Sequence, residues 1–413
     1  MDPESLAFVL VGHIDHGKST LIGRLLHDTD SLPEGKMEEI EAAAKAEGRD
    51  LEFGYIVDHL SEERKRGITI DTAQTFFSSD TRDYVIIDAP GHKEFIKNMI
   101  TGASQAEAAV LICSVYEGVQ EQTKRHAYVV KLLGLEQVLV LYNKMDLVEY
   151  AEERFLEVKD EMDEFLGRLG ITPTLEVPVS AKCGDNVAGG SDNMPWYDGP
   201  NVLEALDRFR KIPPPTRKPL RIPIQDVYQV DSTTVGAGRI ESGVLKAGQK
   251  LHFLPADRTM TVKQIKKHLE DDVADAEAGE CIGLILDGEM PARGQVGCPT
   301  DDRPTLTDRF RGTIFWMASE PLRLGEDDLT FKCATQEQPC TITRLDERID
   351  SGSLEHLDAD AGVLGETEVG ELVLETADPV VLESFYDVQE LGRFVLLKGH
   401  TVVAGGIVTH TQD

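Results

Sequence analysis

The sequence predicts a mainly parallel α/β sheet domain followed by two antiparallel β-barrel domains. Strand-like and helix-like segments alternate from the N-terminus to about residue 210, which is typical of a parallel sheet with helices on both faces. The run Lys211-Ile212-Pro213-Pro214-Pro215 follows, and consecutive prolines favour an extended connector. Beyond it, short β-type runs are separated by glycine turns, a pattern typical of small barrels.

These changes along the chain predict the domain boundaries. We expect a first domain at 1–210, a linker at 211–218, and barrel domains at 219–300 and 301–413, all of ordinary domain size. Apolar runs predict strands in the first domain, and apolar residues spaced three and four apart predict helices. The predicted strands are Leu6–Val11, Tyr84–Ile87, Ala108–Ser114, Gln137–Tyr142 and Leu175–Val179, and the predicted helices include Lys18–Leu26 and Glu152–Leu169.

Composition and charge exclude several classes of protein. The chain has 413 residues and a net charge of −32, which argues against non-specific binding to nucleic acid or to an anionic membrane. The acidic residues are spread along the chain, so we interpret them as a solvated surface. Six scattered cysteines form no CxxC pair, which argues against zinc and redox dithiols. With no apolar run that could span a bilayer and no basic leader segment, we expect a cytoplasmic protein.

A phosphate-binding loop is predicted where the first strand meets the first helix. The segment from Gly12 to Ser19 fits the pattern GxxxxGK[ST], whose main-chain N–H groups and helix N-terminus surround phosphates. Lys18 is expected to reach the β- and γ-phosphates, and the Ser19 hydroxyl to bind Mg²⁺. A glycine turn that only precedes a helix would require neither residue. The predicted nucleotide-binding residues here are Gly12, His13, Ile14, Asp15, His16, Gly17, Lys18, Ser19 and Thr20.

A second set of residues is predicted to sense the γ-phosphate. Asp88 follows a strand and is expected to hold Mg²⁺ through water, while the N–H of Gly91 approaches the γ-phosphate. His92 is predicted to orient the attacking water, although a surface histidine at a helix start is the plain alternative. Thr69 is predicted to bind Mg²⁺ as a switch residue, although threonines are common in strands. The predicted catalytic residues are therefore His92, Lys18 and Thr69, and the predicted Mg²⁺ ligands are Ser19, Thr69 and Asp88.

The choice of base is predicted by Asn143-Lys144-Met145-Asp146, which ends another apolar strand. The Asp146 carboxylate can accept hydrogen bonds from guanine N1–H and its 2-amino group, and adenine would leave it unpaired. The stem of Lys144 can cover the base, and Asn143 can tie this loop to the phosphate loop. Ser180-Ala181-Lys182 follows the next strand and can present a main-chain N–H to guanine O6. Together these motifs predict a GTPase that uses GTP and Mg²⁺.

With these motifs in order, the chain resembles the elongation-factor-Tu-like translational GTPase superfamily. The resemblance extends over essentially the whole chain and covers two branches: the elongation factor 1-alpha type, and the large GTPase subunit of the two-subunit sulfate adenylyltransferase. The matching segments are GHIDHGKST at Gly12–Thr20, RGITID at Arg66–Asp71, DAPGH at Asp88–His92, NMITGAS at Asn98–Ser104 and MPWYDGP at Met194–Pro200.

The C-terminal domain favours the sulfate branch in this interpretation. Phe310–Leu324, with Trp316 and Glu320-Pro321-Leu322, and Thr343–Leu354, with Arg348-Ile349-Asp350, are similar to that subunit's third domain. Residues 301–413 also carry nine lysines and arginines against 23 acidic residues. This balance is unfavourable for binding tRNA, which requires cations that neutralise phosphates. The resemblance then implies GTP hydrolysis coupled to formation of adenosine 5′-phosphosulfate, with a smaller ATP-binding sulfate adenylyltransferase subunit as partner. The alternative is an elongation factor that delivers aminoacyl-tRNA to the ribosome.

Overall fold

The computed structural model describes residues 5–412, except 33, 36, 39, 41–52, 55, 58–73, 89–105, 232, 268–269, 326–327 and 360–361. The chain divides into two compact units, Met1–Ile212 with Ser351–Ser353, and Pro213–Asp350 with Leu354–Asp413. The predicted domain limits 1–210, 211–218, 219–300 and 301–413 stay a prediction. Among the described residues, no helix is both long and apolar enough to cross a membrane.

The first unit contains a six-stranded sheet in the order β2-β3-β1-β4-β5-β6. Its pairings are parallel except for β2 with β3, so the carboxyl ends of β1, β3, β4 and β5 share one edge. The strands are β1 Leu6–Gly12, β2 Gln74–Ser78, β3 Asp83–Asp88, β4 Ala108–Ser114, β5 Val138–Asn143 and β6 Leu175–Pro178. The helices described from end to end are α1 Lys18–Asp28, α2 Glu121–Leu132, α3 Glu152–Leu169 and α4 Val202–Asp207.

The core of this unit explains why these segments form these elements. β4 is buried along its whole length, as expected for a central strand with helices on both faces of the sheet. α3 buries Phe155, Val158, Met162, Phe165, Leu166 and Leu169, which recur at three- and four-residue spacing and form one face of the helix. The apolar pattern therefore fixes which side of each element faces inward.

The second unit contains two closed six-stranded barrels. In the first, the ring β10-β15-β7-β8-β14-β11 closes through pairing of β10 with β11, and β12 pairs on the outside of β11. Its strands, with a separate β9–β13 pair, are β7 Ile222–Val230, β8 Thr233–Arg239, β9 Val244–Lys246, β10 Lys250–Leu254, β11 Arg258–Lys267, β12 Glu270–Val273, β13 Asp275–Glu277, β14 Cys281–Leu286 and β15 Val296–Pro299.

In the second barrel, the ring β18-β23-β24-β16-β22-β19 closes through pairing of β18 with β19. Its elements are β16 Thr305–Trp316, β17 Leu322–Arg323, β18 Leu329–Cys333, β19 Gln336–Asp350, β20 His356–Leu357, β21 Val363–Leu364, β22 Glu368–Leu382, α5 Gln389–Gly392, β23 Arg393–Lys398 and β24 Thr401–His410. The predicted fold class, a P-loop GTPase domain with a mainly parallel sheet followed by two antiparallel β-barrel domains, is confirmed.

A charge cluster around the buried Arg221 joins the two barrels within the second unit. Arg221 is 2% exposed, and its Nη2 lies 2.6 Å from Oε1 of Glu383 and 3.2 Å from Oδ1 of Asp302. Its Nη1 also donates to the main-chain oxygens of Leu220 and Asp302. One apolar cluster is also drawn from both barrels, and it consists of Leu254, Val296, Cys298, Val381, Val388 and Leu391.

Candidate nucleotide-binding site

The loop between β1 and α1 is shaped by its glycines. A 3₁₀ turn at Ile14–His16 is followed by Gly17, which has φ +94°, and α1 begins at Lys18. A Cβ atom on Gly17 would lie 2.3 Å from Nδ2 of Asn143. Both the left-handed backbone and this close approach require glycine.

The loop forms a cradle of hydrogen-bond donors that fits phosphate. Nζ of Lys18 donates to the main-chain oxygens of Gly12 and His13, at 2.7 Å in each case, so the ammonium group is held inside the curve of the loop. Among the described residues, no side chain caps the N-terminus of α1, so the first-turn N–H groups, at Ser19 and Thr20, face the loop. Donors and a positive helix end gathered in one place suit an anion.

The two histidines of the loop point away from this cradle. Nδ1 of His13 lies 2.7 Å from Oε1 of Gln122, and Nδ1 of His16 donates to the main-chain oxygen of Ile112 at 3.2 Å. Burial lowers the pKa of His16 to about 4, an effect that the Ile112 oxygen partly opposes. The imidazole of His16 is therefore neutral at pH 7 and packs behind the loop, and only its main chain is placed to meet a nucleotide. The side chain of Ile14 is exposed, and so is that of Asp15.

Asn143, the last residue of β5, connects three loops. Its side chain is buried, its Nδ2 donates to the main-chain oxygen of His16 at 2.8 Å, and its Oδ1 accepts from the N–H of Ala181 at 3.0 Å. The phosphate loop, the segment after β5 and the segment after β6 therefore meet at one amide group.

The residues that the sequence predicts to read the base lie next to Asn143. Oδ1 of Asp146 accepts from the Ser180 hydroxyl at 2.6 Å, which fixes the orientation of the carboxylate that is predicted to bind guanine. Lys144 has φ +67°, and its Nζ donates to Oε1 of Glu117 at 2.7 Å. Because Asn143 already engages the N–H of Ala181, the N–H of Lys182 is the next main-chain donor in this loop.

The structure adds residues that the sequence analysis missed. Glu117 holds Lys144, Gln122 holds His13, and Arg24 of α1 donates to the main-chain oxygens of Ala181 and Lys182. Arg24 had one signal in the sequence, since it is a charge inside the apolar run Leu21-Ile22-Gly23-Arg24-Leu25-Leu26, and a charge in such a run needs a partner.

The predicted γ-phosphate residues are described only in part. Asp88 is the last residue of β3 and pairs in parallel register with Leu10 of β1, at the same sheet edge as the phosphate loop. Thr69, Gly91 and His92 lie outside the described residues. Of the three predicted Mg²⁺ ligands, the structure therefore describes the side chain of Ser19 alone.

Comparisons with known proteins cover both ends of the chain. Residues 4–214 match the family model described as Elongation factor Tu GTP binding domain, and residues 309–409 match GTP-eEF1A C-terminal domain-like. Three curated relatives are named elongation factor 1-alpha. They come from Methanocorpusculum labreanum (39% identical, 97% of this chain and 95% of the relative), Halobacterium salinarum (39%, 97% and 96%) and Methanopyrus kandleri (41%, 98% and 97%).

These matches overturn the sulfate prediction. A sulfate adenylyltransferase role and a smaller ATP-binding subunit as partner are both wrong, because the chain is similar over nearly its full length to proteins named elongation factor 1-alpha. The segments that favoured the sulfate branch serve the barrel itself. Nε1 of Trp316 donates to the main-chain oxygen of Glu320, and Arg348 forms a bidentate ion pair with Glu368 on the neighbouring strand. Such residues reflect a shared architecture and carry no information about substrate.

Proposed function

Since the chain belongs to the elongation factor Tu and 1-alpha family of translational GTPases, we propose that it is an elongation factor that delivers aminoacyl-tRNA to the ribosome. The observation that carries the proposal is the extent of the likeness, which includes the C-terminal domain as well as the GTP-binding domain. A shared GTP-binding domain alone would leave the purpose of hydrolysis open, because many functions use the same fold.

The nucleotide is proposed to be GTP with Mg²⁺. Lys18 would reach the β- and γ-phosphates from its place in the cradle, and main-chain donors of the loop would surround the remaining oxygens. Ser19, Thr69 and Asp88 would hold Mg²⁺, which neutralises developing charge when it is bound. Gly91 would place its N–H against the γ-phosphate, and His92 would orient the attacking water.

Base choice is proposed to depend on Asp146. Its carboxylate would accept from guanine N1–H and from the 2-amino group, while Ser180 fixes its orientation through the 2.6 Å hydrogen bond. Lys144, held by Glu117, would cover the base with its methylene stem. An adenine nucleotide lacks this pair of donors and would leave the Asp146 carboxylate without a hydrogen-bond partner, which is costly.

The acidity of the chain is compatible with a tRNA ligand. The net charge of −32 sets the average field around the protein, but affinity for a nucleic acid depends on the few cations that reach phosphates. The expectation that nucleic acid is an unlikely partner was drawn from the net charge of the whole chain, which does not give the charge at a binding surface. We therefore propose tRNA as the partner.

The proposal is tested by GTP-dependent protection of aminoacyl-tRNA. The purified protein would be loaded with GTP or GDP and mixed with aminoacyl-tRNA, and spontaneous hydrolysis of the ester bond would be followed. We expect slow hydrolysis with GTP and nearly unprotected hydrolysis with GDP. Equal hydrolysis in the two nucleotide states, in protein shown to be loaded, would contradict the delivery function and leave the GTPase activity standing.

A matched variant connects protection to base recognition. In Asp146→Asn, the amide can pair with the 2-oxo group of xanthine but has lost the acceptor pair that guanine needs. Protection should therefore shift from GTP to xanthosine triphosphate, while the unmodified protein shows the reverse preference. If Asp146→Asn keeps its GTP dependence, Asp146 has no part in reading the base.

A further inference from the structure

We propose that Arg24 is a positioning residue for base recognition, which holds the 180–184 loop so that the main-chain N–H of Lys182 faces guanine O6. The inference rests on the proposed function, because it assumes that the site binds a guanine nucleotide. Arg24 lies in α1, 157 residues before Ala181 in the sequence, and no motif in the chain marks it.

A single guanidinium group holds two successive carbonyls. Nε of Arg24 donates to the main-chain oxygen of Ala181 at 3.2 Å, and Nη2 donates to that of Lys182 at 2.5 Å. Arginine suits this task, because its donors form a rigid planar fork, whereas a lysine ammonium is a single compact point.

The orientation of these carbonyls fixes the neighbouring N–H groups. In a planar trans peptide the C=O and N–H groups point in opposite directions. The Ala181 carbonyl and the Lys182 N–H belong to one peptide unit, so the N–H points away from Arg24. Among the described residues, it has no hydrogen-bond acceptor.

The next peptide unit shows what lies on that opposite side. The Lys182 carbonyl also faces Arg24, and the N–H of Cys183 donates to Oγ of Ser180 at 3.2 Å. The same Ser180 hydroxyl donates to Asp146. The side of the loop away from Arg24 is therefore the side of the base-reading carboxylate, and the Lys182 N–H is open toward it.

The guanidinium itself is held in place from several directions. Its Cζ lies 3.8 Å from the ring centroid of Phe53, and Nη1 lies 3.5 Å from Oδ1 of Asp28. A Cβ atom on Gly184, which has φ +90°, would lie 3.2 Å from Nη1, so the loop closes tightly over the group. The side chain is 14% exposed. Stacking and ion pairing together keep the fork aimed at the loop.

This arrangement complements the Asp146 carboxylate. Guanine presents an acceptor at O6, whereas adenine presents an amino group at the same place. A main-chain N–H that faces this position would donate a hydrogen bond to guanine O6. With adenine, the same N–H would face the amino group, and the two donors could not pair. Arg24 would thus sharpen selection at O6, while Asp146 reads N1–H and the 2-amino group.

The test compares guanine nucleotides that differ at one position. Dissociation constants would be measured for GDP, for 6-thioguanosine diphosphate, whose sulfur is a weak acceptor, and for inosine diphosphate, which keeps O6 and lacks the 2-amino group. The proteins would be the unmodified chain, Arg24→Ala, Arg24→Lys, and the control Arg125→Ala, which removes an arginine paired with Glu121 on α2.

We expect Arg24→Ala to weaken GDP binding about tenfold, the value of one well-formed hydrogen bond. Its preference for GDP over 6-thioguanosine diphosphate should fall toward one, while its preference for GDP over inosine diphosphate stays as in the unmodified protein. Arg24→Lys should lie in between, and Arg125→Ala should match the unmodified protein.

Two results for Arg24→Ala would overturn the inference. One is an unchanged preference for GDP over 6-thioguanosine diphosphate, and the other is an equal loss of affinity for all three nucleotides together with a lower melting temperature. Failure of the unmodified protein to bind GDP would instead overturn the proposed function, and the inference with it.

Discussion

Nδ2 of Asn143 donates a 2.8 Å hydrogen bond to the main-chain oxygen of His16, 127 residues earlier in the chain. Because Oδ1 of the same side chain accepts from the N–H of Ala181, the phosphate loop and the loop after β6 are held by one amide. Movement of either loop is therefore transmitted to the other.

Replacing Asn143 should accelerate nucleotide release. Asn143→Asp keeps an acceptor for Ala181 but loses the donor to His16, so we expect GDP to dissociate about tenfold faster, as for one hydrogen bond. Asn143→Ala loses both contacts and should release GDP faster still. Stopped-flow release of a fluorescent GDP measures these rates.

The control is Asn201→Ala, which removes the capping box of α4. This variant should lower the free energy of unfolding by about 1 kcal/mol and leave the rate of GDP release unchanged. Equal release rates in all variants would refute the linkage between the two loops.

A side chain at Gly17 should block the site. Gly17→Ala combines an unfavourable left-handed backbone with a Cβ atom 2.3 Å from Nδ2 of Asn143. The backbone cost, about 1–2 kcal/mol, disfavours the loop conformation that holds the phosphate donors, so we expect nucleotide affinity to fall about fivefold to thirtyfold, measured by calorimetric titration with GDP. Gly35→Ala is the matched control, since Gly35 has φ +76° and its Cβ would meet no described residue within 4 Å. Comparable affinity in the two variants would show that the contact with Asn143 is unimportant.

Much of this fold follows from local sequence, but the contacts that build the site do not. Glu152–Leu169 and Ala108–Ser114 occur in the structure with the predicted limits, because burial imposes a period of 3.6 on a helix and a continuous apolar run on a central strand. The bonds of Arg24 to Ala181 and Lys182 join segments about 157 residues apart, and no local pattern records such a partner. The prediction of the sulfate adenylyltransferase branch was wrong for a related reason. Trp316 and Arg348 are residues that stabilise a barrel, and the same barrel fold serves several functions.

Breaking the charge cluster between the barrels should destabilise the second unit. Glu383→Gln leaves the buried Arg221 without its closest carboxylate, 2.6 Å away, and such a loss costs about 3–5 kcal/mol. Denaturant unfolding followed by the fluorescence of Trp316, in a Trp196→Phe background, measures the change in this unit.

The control for this prediction is Glu289→Gln, which removes an exposed partner of Arg258 and should cost at most about 1 kcal/mol. Adding Arg221→Met to Glu383→Gln should recover part of the lost stability, because no unpaired charge then stays buried. Strictly additive effects of the two substitutions would contradict a direct interaction.

The buried His16 should make stability depend on pH. Burial lowers its pKa from 6.5 to about 4, so the unfolded chain binds the proton first as the pH falls. Stability is therefore lost progressively between about pH 6.5 and pH 4, by up to about 3 kcal/mol from this residue.

Urea unfolding at pH 7 and pH 5 measures this dependence. His16→Gln should show a smaller loss of unfolding free energy between the two pH values than the unmodified protein. His27→Gln, which replaces a histidine with a half-exposed side chain on α1, should behave like the unmodified protein. An identical loss in all three would mean that other groups account for the acid sensitivity.

The ring closures of the second unit have a consequence beyond its stability. Because β10 pairs with β11 and β18 pairs with β19, every strand in the two rings has a neighbour on both sides. A sheet with a free edge offers its unpaired N–H and C=O groups to another molecule, and that is how intermolecular strand addition and aggregation begin. Within the described residues the two rings offer no such template, so the ring strands should resist intermolecular strand addition at high protein concentration for as long as both closures hold.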